Sequence, residues 1–234
     1  MDTRTAARFA NASYDMLGSG TKEERASKIN ESIADTGYQV DLQHSNRDIL
    51  TLRNESENKL YVSHRGTDTS GRRTKQDVTS DMLFGLGMQS NDKYFNDRRR
   101  RTARAVKTAD ADTFVSVSGH SLGGATSSYS MTNPKVRKRV NQVDTFNTAT
   151  EVVPPTTKRP IGKNALNDLN NKTTHYRNTT DIVSVNHKKL PFGKVVESET
   201  NLGKISRRRY VPRGASNLFK TVDALNAHTL NQWL

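Results

Sequence analysis

The sequence predicts an α/β fold, a mostly parallel sheet flanked by helices, and three observations carry that expectation. Short β-like runs alternate with helical stretches, the pattern of strand–helix–strand units. In mid-chain one such run, Phe114-Val115-Ser116-Val117, enters a glycine-rich turn and then the small residues Ala125-Thr126-Ser127-Ser128. The 234 residues show no internal repeat and no low-complexity linker, which suits one domain spanning 1–234.

The elements follow in order. Residues 3–17 read as a first helix, stopped by Gly18-Ser19-Gly20. Thr21-Lys22-Glu23-Glu24 has the Thr-x-x-Glu spacing of a capping box, in which each side chain satisfies a backbone N–H of the first turn. The second helix then runs to about residue 35, with Gly37 as its stop. Three β-like runs cover 38–43, 48–53 and 60–64, the last two separated by the polar loop 54–58. A long loop opens at Gly66 and carries Arg72-Arg73 and an apolar patch, Met82 to Met88. Residues 93–109 read as a basic helix, 113–117 as a strand, 118–124 as a sharp turn, and a short helix then extends up to Pro134. Strands are expected at 142–147 and 173–178, and residues 217–234 space Leu218, Phe219, Val222, Leu225, Leu230 and Trp233 close to helical periodicity.

Composition bounds the rest. Only 32% of residues are hydrophobic and the mean hydropathy is −0.83, so a thin core, long polar loops and a modest stability margin are expected. No stretch approaches the roughly 20 apolar residues that span a bilayer, and residues 1–12 are too polar for the apolar region of a signal peptide. The absence of cysteine excludes disulfides, thiolate metal sites and thiolate nucleophiles. Lys and Arg number 37 against 24 Asp and Glu, a formal charge of +13 that attracts polyanions, an anionic membrane surface or nucleic acid. The densest runs, Arg98 to Arg101 and Arg207 to Arg209, read equally well as solvated faces or as docking surfaces.

Chemistry first surfaces at Gly119-His120-Ser121-Leu122-Gly123, a Gly-x-Ser-x-Gly pattern followed by a further glycine, Gly124. A serine hydroxyl becomes a useful nucleophile when a tight strand-to-helix turn projects it where a histidine can reach, and flanking glycines leave room for that strained backbone. The same turn aims the Leu122 N–H at a developing oxyanion. With glycine and serine each near 7% of residues, the bare pattern arises by chance in roughly one chain in ten of this length. The strand-like run before it and the small residues after it supply the context that the motif requires.

Other segments fall into step with this turn: Val62-Ser63-His64-Arg65-Gly66-Thr67, Asp77-Val78-Thr79-Ser80-Asp81, Asp144-Thr145-Phe146-Asn147, Asp181-Ile182-Val183 and Ala227-His228-Thr229-Leu230. Together they resemble the class 3 lipases, the fungal triacylglycerol lipase type, over most of the chain. His64 stands for the phenylalanine of that family's Phe-Arg-Gly-Thr, Val78 for the tryptophan of Asp-Trp-x-x-Asp, and Ser184 for the proline of Asp-x-Val-Pro. Its His-x-Gly-Phe motif is absent, with Asp92-Lys93-Tyr94-Phe95 in its rough place, and its Gly-x-Pro is Asn147-Thr148-Ala149. These departures touch the acyl pocket more than the chemistry.

The resemblance implies an α/β-hydrolase fold with a lid segment, about residues 69–88, and a carboxylic ester hydrolase acting on lipid esters as a lipase or phospholipase. The triad order of this fold, Ser then Asp/Glu then His, gives Ser121 as nucleophile, Asp181 as acid and His228 as base. Asp168 and Asp223 are the alternative acids, and His187 the alternative base. His120 neighbours the nucleophile but points elsewhere, and His44, His64 and His175 precede Asp181. Thr67 becomes the second oxyanion donor beside Leu122, while Arg65, Asp77 and Asp81 support the lid and loop, Arg65 and Asp81 by ion pairing.

No cofactor or metal is needed, and no Asp-rich loop has calcium-ligand spacing. The basic, apolar lid composition and the charge of +13 favour phospholipid at an anionic membrane surface, ahead of nucleic acid. A short, basic, cysteine-free form resembles intracellular or virus-encoded members. Two other classes stay open, a catalytically silent scaffold that binds polyanions and an esterase of soluble or polysaccharide-linked esters.

Overall fold

The computed structural model describes residues 1–66, 92–148, 162–179 and 192–198. Helix α1 (Thr3–Asp15) begins where the Asp2 carboxylate accepts the Thr5 N–H at 2.9 Å. Helix α2 (Lys22–Ser32) begins on the expected capping box, with Thr21 accepting from Glu24 N and Glu24 returning the bond to Thr21 N. A 3-10 turn (Ala34–Thr36) follows and stops at Gly37, whose φ of 73° is left-handed.

Strands β1 (Gln39–Val40), β2 (Ile49–Asn54) and β3 (Lys59–His64) pair antiparallel. From β3 onward the sheet is parallel: β4 (Phe114–His120), β5 (Gln142–Phe146), β6 (Thr173–Asn178) and β7 (Lys194–Ser198) add in sequence, so the seven strands lie in chain order. This is the α/β-hydrolase arrangement of a mostly parallel sheet flanked by helices.

Sequential parallel addition has a consequence. Right-handed crossovers that all step the same way place their helices on one face of the sheet. That face carries α3 (Asp92–Lys107), α4 (Leu122–Ser130), α5 (Pro134–Arg139) and α6 (Lys163–Lys172). Ala105, Val106, Val136 and Leu169 from three of these helices pack on Ile49, Leu60, Val62, Val115, Val117 and Val143. The opposite face falls to the first two helices: Phe9, Ala10, Met16, Ile29 and Ile33 cover Leu50, Leu52, Tyr61 and Phe146.

Low hydropathy does not leave the sheet uncovered. Buried hydroxyls take the place of aliphatic bulk, and many of them keep a hydrogen-bond partner, Ser128, Thr148 and Thr173 being exceptions among the described residues. Ser118 Oγ donates to Ser63 Oγ at 3.1 Å, Ser127 Oγ to the Ser118 carbonyl at 2.5 Å, and Ser130 Oγ to the Thr126 carbonyl at 2.9 Å. Thr102, from α3, meets His64 Nε2 at 2.9 Å and Ser130 Oγ at 3.4 Å, a polar seam joining α3, β3 and α4. A buried hydroxyl that keeps a hydrogen bond escapes most of the desolvation penalty.

Several boundaries move. Strand β1 has two residues rather than six, because the Asp41 side chain turns the chain away by accepting His44 N at 3.1 Å. Strand β4 runs on to His120, so the sharp turn shrinks to Ser121. Pro134 begins a helix instead of ending one: Asn133 caps it and the proline takes the first turn, where its missing N–H costs nothing. Helix α6 and strand β7 were not expected. The Asn-rich α6 shows only a short apolar stripe, Leu166 and Leu169, and the residues of β7 are mostly exposed. The patch 82–88 and the stretch 217–234 lie outside the described residues. Among the described residues no helix is long and apolar enough to cross a membrane.

Two kinds of buried titratable group make stability depend on pH in opposite senses. Asp144 on β5 is buried and accepts from Gln142 Nε2 at 2.7 Å. Burial pushes its carboxyl up to about 6, against the opposing pull of that bond and of the Met1 ammonium. The folded state therefore holds more protons than the unfolded state between about 4 and 6, and stability falls as pH rises through that window. At about 1.4 kcal/mol per pKa unit, the ionised carboxyl costs roughly 3 kcal/mol above pH 6. His64 and His175 are lowered by burial, His175 to about 4, so their contribution is full above the unfolded value near 6.5 and is lost as pH falls. Asp144→Asn is expected to raise the unfolding free energy by up to about 3 kcal/mol at pH 8 and by little at pH 4, read from urea midpoints. Equal gains at both pH values would mean that ionisation is not the cause.

Candidate active site

The site is built where β4 hands over to α4. Between them stands Ser121 with φ 56° and ψ −126°, a backbone that L-residues rarely adopt and that costs about 1–3 kcal/mol. The surroundings hold it there. Ser121 N–H donates to the Phe146 carbonyl at the end of β5 at 2.9 Å, and the Ser121 carbonyl accepts Gly124 N at 3.0 Å and Ala125 N at 3.3 Å. The residue is 3% exposed. Leu122 is the first residue of α4, so its N–H has no partner within the helix and sits at the positive end of the helix dipole.

Glycine is required where backbones meet. A Cβ on Gly123 would collide with the His64 carbonyl oxygen and lie 2.8 Å from Arg65 C, so the first turn of α4 rests directly on the end of β3. A Cβ on Gly66 would lie 2.8 Å from the His120 carbonyl oxygen and 3.3 Å from Ser121 Cβ. The residue preceding Thr67 therefore abuts Ser121; Thr67 itself lies outside the described residues.

The four described histidines are engaged elsewhere. His120 Nδ1 meets Tyr14 OH of α1 at 2.8 Å. His64, wholly buried, faces Thr102 and is held neutral by burial and by the charge of Arg98. His175 meets Thr145 Oγ1 at 2.6 Å and the Phe192 carbonyl at 2.8 Å. A carbonyl only accepts, so Nε2 carries the proton and Nδ1 accepts from the threonine hydroxyl. His44 pairs with Asp41, which also receives Arg53 Nε at 2.8 Å. Beside Asp41, His44 and Arg53 a groove of about 670 Å³ opens at the antiparallel end of the sheet.

Strand β6, which leads to Asp181, ends at Asn178 on the same edge of the sheet as Ser121, two strand spacings or about 10 Å away. The intervening end of β5 is pinned by Asn147, left-handed at φ 44°, whose N–H donates to the Tyr176 carbonyl and whose Oδ1 accepts Asn178 N at 2.9 Å. Where the resembled pattern has glycine, asparagine tolerates the left-handed backbone and adds a bond. Asp181, His228, Asp77 and Asp81 lie outside the described residues, as do His187 and Asp223. Asp168 pairs with Lys172 one turn along α6 at 2.9 Å and is 40% exposed at its side chain, a surface pair unsuited to the buried acid of a triad.

Arg65 is 8% exposed and is anchored by partners that sequence reasoning did not supply. Its Nε donates to the Arg47 carbonyl at 2.8 Å, and its guanidinium meets Asp48 Oδ1 at 3.5 Å. Asp48 also meets Arg98 at 3.3 Å, and Arg98 donates to the Arg65 carbonyl. The arginine run is thus split. Arg98 is 1% exposed, Arg99 lies over the Tyr129 ring at 5.1 Å, and Arg100 and Arg101 face solvent. Helical periodicity could have assigned the four arginines to different faces, but nothing in the sequence marked Asp48 as the partner. Among the described residues no group of three or more His, Asp or Glu is placed to hold a metal ion.

The close approach at Gly123 gives a direct test. Gly123→Ala is expected to destabilise the fold by about 3 kcal/mol, the scale of an overpacked core. Gly162→Ala, where an added Cβ meets nothing within 4 Å, is expected to change it by less than about 1 kcal/mol. Thermal unfolding of both variants beside the parent distinguishes them; equal effects would remove the backbone contact as the reason for the glycine.

No family model matches the sequence, and no curated protein matches it. Among solved structures, the chain is similar to Lip2 lipase from Yarrowia lipolytica, with a TM-score of 0.48 and 16% identity over 83% of this chain and 77% of that one. It is similar to MDLA from Penicillium cyclopium at a TM-score of 0.47 and 13% identity, over 84% and 78% of the two chains. The Rhizomucor miehei lipase follows at 0.39 and 16%, over 78% and 61%.

Proposed function

We propose that this chain is a serine hydrolase of carboxylic esters, acting on lipid esters through an acyl-enzyme on Ser121. The observation that carries the reading is the left-handed Ser121 backbone between a parallel strand and a helix. Glycine or asparagine would meet the same turn at lower conformational cost. A serine kept there, with its first-turn N–H groups beside it, suits presentation of a nucleophile.

In this reading His228 takes the Ser121 proton as the hydroxyl attacks the ester carbonyl and returns it to the leaving alcohol. Asp181 orients the imidazole and stabilises its charged form. Leu122 N–H and Thr67 bind the oxyanion; loss of one such donor typically costs ~100- to 1000-fold in rate. Water then releases the acyl group by the same relay. The charge of +13 and the exposed Arg100, Arg101, Arg104 and Lys107 of α3 support phospholipid at an anionic membrane as the substrate. The same charge supports the rival reading, a silent scaffold that binds polyanions.

Fatty-acid release from mixed phosphatidylcholine and anionic phospholipid vesicles, with Ser121→Ala in parallel, separates the two. Release should fall at least ~1000-fold in the variant, while salt-sensitive vesicle binding persists. Activity confined to short monomeric esters would indicate an esterase of soluble substrates. No release from vesicles, triglyceride emulsions or short esters would leave the binding scaffold.

A further inference from the structure

We infer that Arg98, the first arginine of the basic run, is a positioning residue for the oxyanion loop, acting through the main chain of Arg65. The inference rests on the serine-hydrolase reading given above. A guanidinium at 1% exposure is expensive to bury, and a helix facing a sheet ordinarily meets that need with an aliphatic side chain. Here the side chain reaches from α3 to the end of β3, where NH1 donates to the Arg65 carbonyl and NH2 meets Asp48 Oδ1 at 3.3 Å.

Asp48 closes the arrangement. Its carboxylate also meets Arg65 NH2 at 3.5 Å, and its main-chain carbonyl accepts Arg65 N–H at 3.1 Å. Arg65 is thereby fixed at its N–H, its carbonyl and its side chain, and its own NH1 donates to the Gly66 carbonyl at 2.5 Å. Gly66 is the residue whose backbone abuts Ser121 Cβ. The main chain at Arg65 and Gly66 is therefore set by the Arg98–Asp48 clamp, with no contact between Arg98 and the reacting atoms required. A planar fork that binds a carbonyl and a carboxylate together suits this work; an ammonium offers no such fork.

Preorganised donors act through placement, so loosening the clamp should slow formation of the tetrahedral species more than it weakens substrate binding. The rate of phosphonylation of Ser121 by a small fluorophosphonate reads this step without knowledge of the natural substrate. Arg98→Lys and Asp48→Asn in the full chain are expected to react ~10- to 100-fold more slowly per folded molecule. On a short-chain ester they should lose kcat with KM little changed. Arg98→Ala should regain part of the rate when methylguanidinium is added, a response that loss of packing alone would not give.

If Arg98→Lys does not fold, Asp48→Asn, at a side chain 39% exposed, removes the same anchor from its other end. Variants that are less stable but react at the parent rate once folded, or that show no response to methylguanidinium, would overturn the inference. A parent protein that fails to react with the fluorophosphonate at all would overturn the serine-hydrolase reading instead, and the two failures are told apart by that first measurement.

Discussion

The first turn of α4 lies backbone to backbone on the end of β3, and the edge of the sheet that carries Ser121 takes its dimensions from that contact. With no Cβ at Gly123, the helix settles against the His64 carbonyl. That brings the exit of β3, the turn at Ser121 and the start of α4 within one residue's width of each other. Move the helix outward by the thickness of a methyl group and Gly66 no longer meets the serine. The strain at Ser121 is sustainable because three strands converge on it, β3 through Gly66, β4 through the chain itself and β5 through the Phe146 carbonyl.

Around this contact the interior is held together by polar groups placed in pairs. Thr102 links His64 to Ser130, and Arg98 links Arg65 to Asp48. Such pairings explain how a chain of mean hydropathy −0.83 covers both faces of its sheet. They also make helix α3 something other than a greasy cover: its inner face carries Phe95 toward one end, Arg98 and Thr102 in the middle, and Ala105 and Val106 toward the other end. The apolar ends seal the core, while the polar middle reaches the end of β3.

Legibility in the sequence follows the range of the interactions. The capping box at Thr21 and Glu24 is a contact over three residues, and it stands as read; so does β6, whose bounds coincide with the expected 173–178. The turn at Ser121 was readable because its glycines and its flanking strand are neighbours in the chain. Strand β1 was overextended, since the Asp41 side chain bonds that end it do not alter the hydrophobic pattern. The Asp48–Arg98 pair spans fifty residues and leaves no local trace. Of the candidate site, Ser121, Leu122 and Arg65 fall among the described residues, and Arg65 takes Asp48 as its carboxylate partner there.

The assignment of α1 and α2 to the face opposite the crossover helices bears on how the chain reaches this state. Helix α1 precedes every strand of the sheet in the sequence, yet part of what it covers lies far along the chain. Thr3 bonds Tyr176, the Met1 ammonium bonds Gln142, and Phe146 belongs to the cluster around Phe9. Contacts over 141 and 173 residues must close before the helix has its full footing. Until β5 and β6 are in place, α1 can rest on β2, β3 and β4 but lacks its contacts with Phe146 and Tyr176, and part of one sheet face stays wet. Late closure of long-range contacts slows folding and prolongs exposure of apolar surface. In this molecule the first helix is therefore fully seated only once β5 and β6 have joined the sheet.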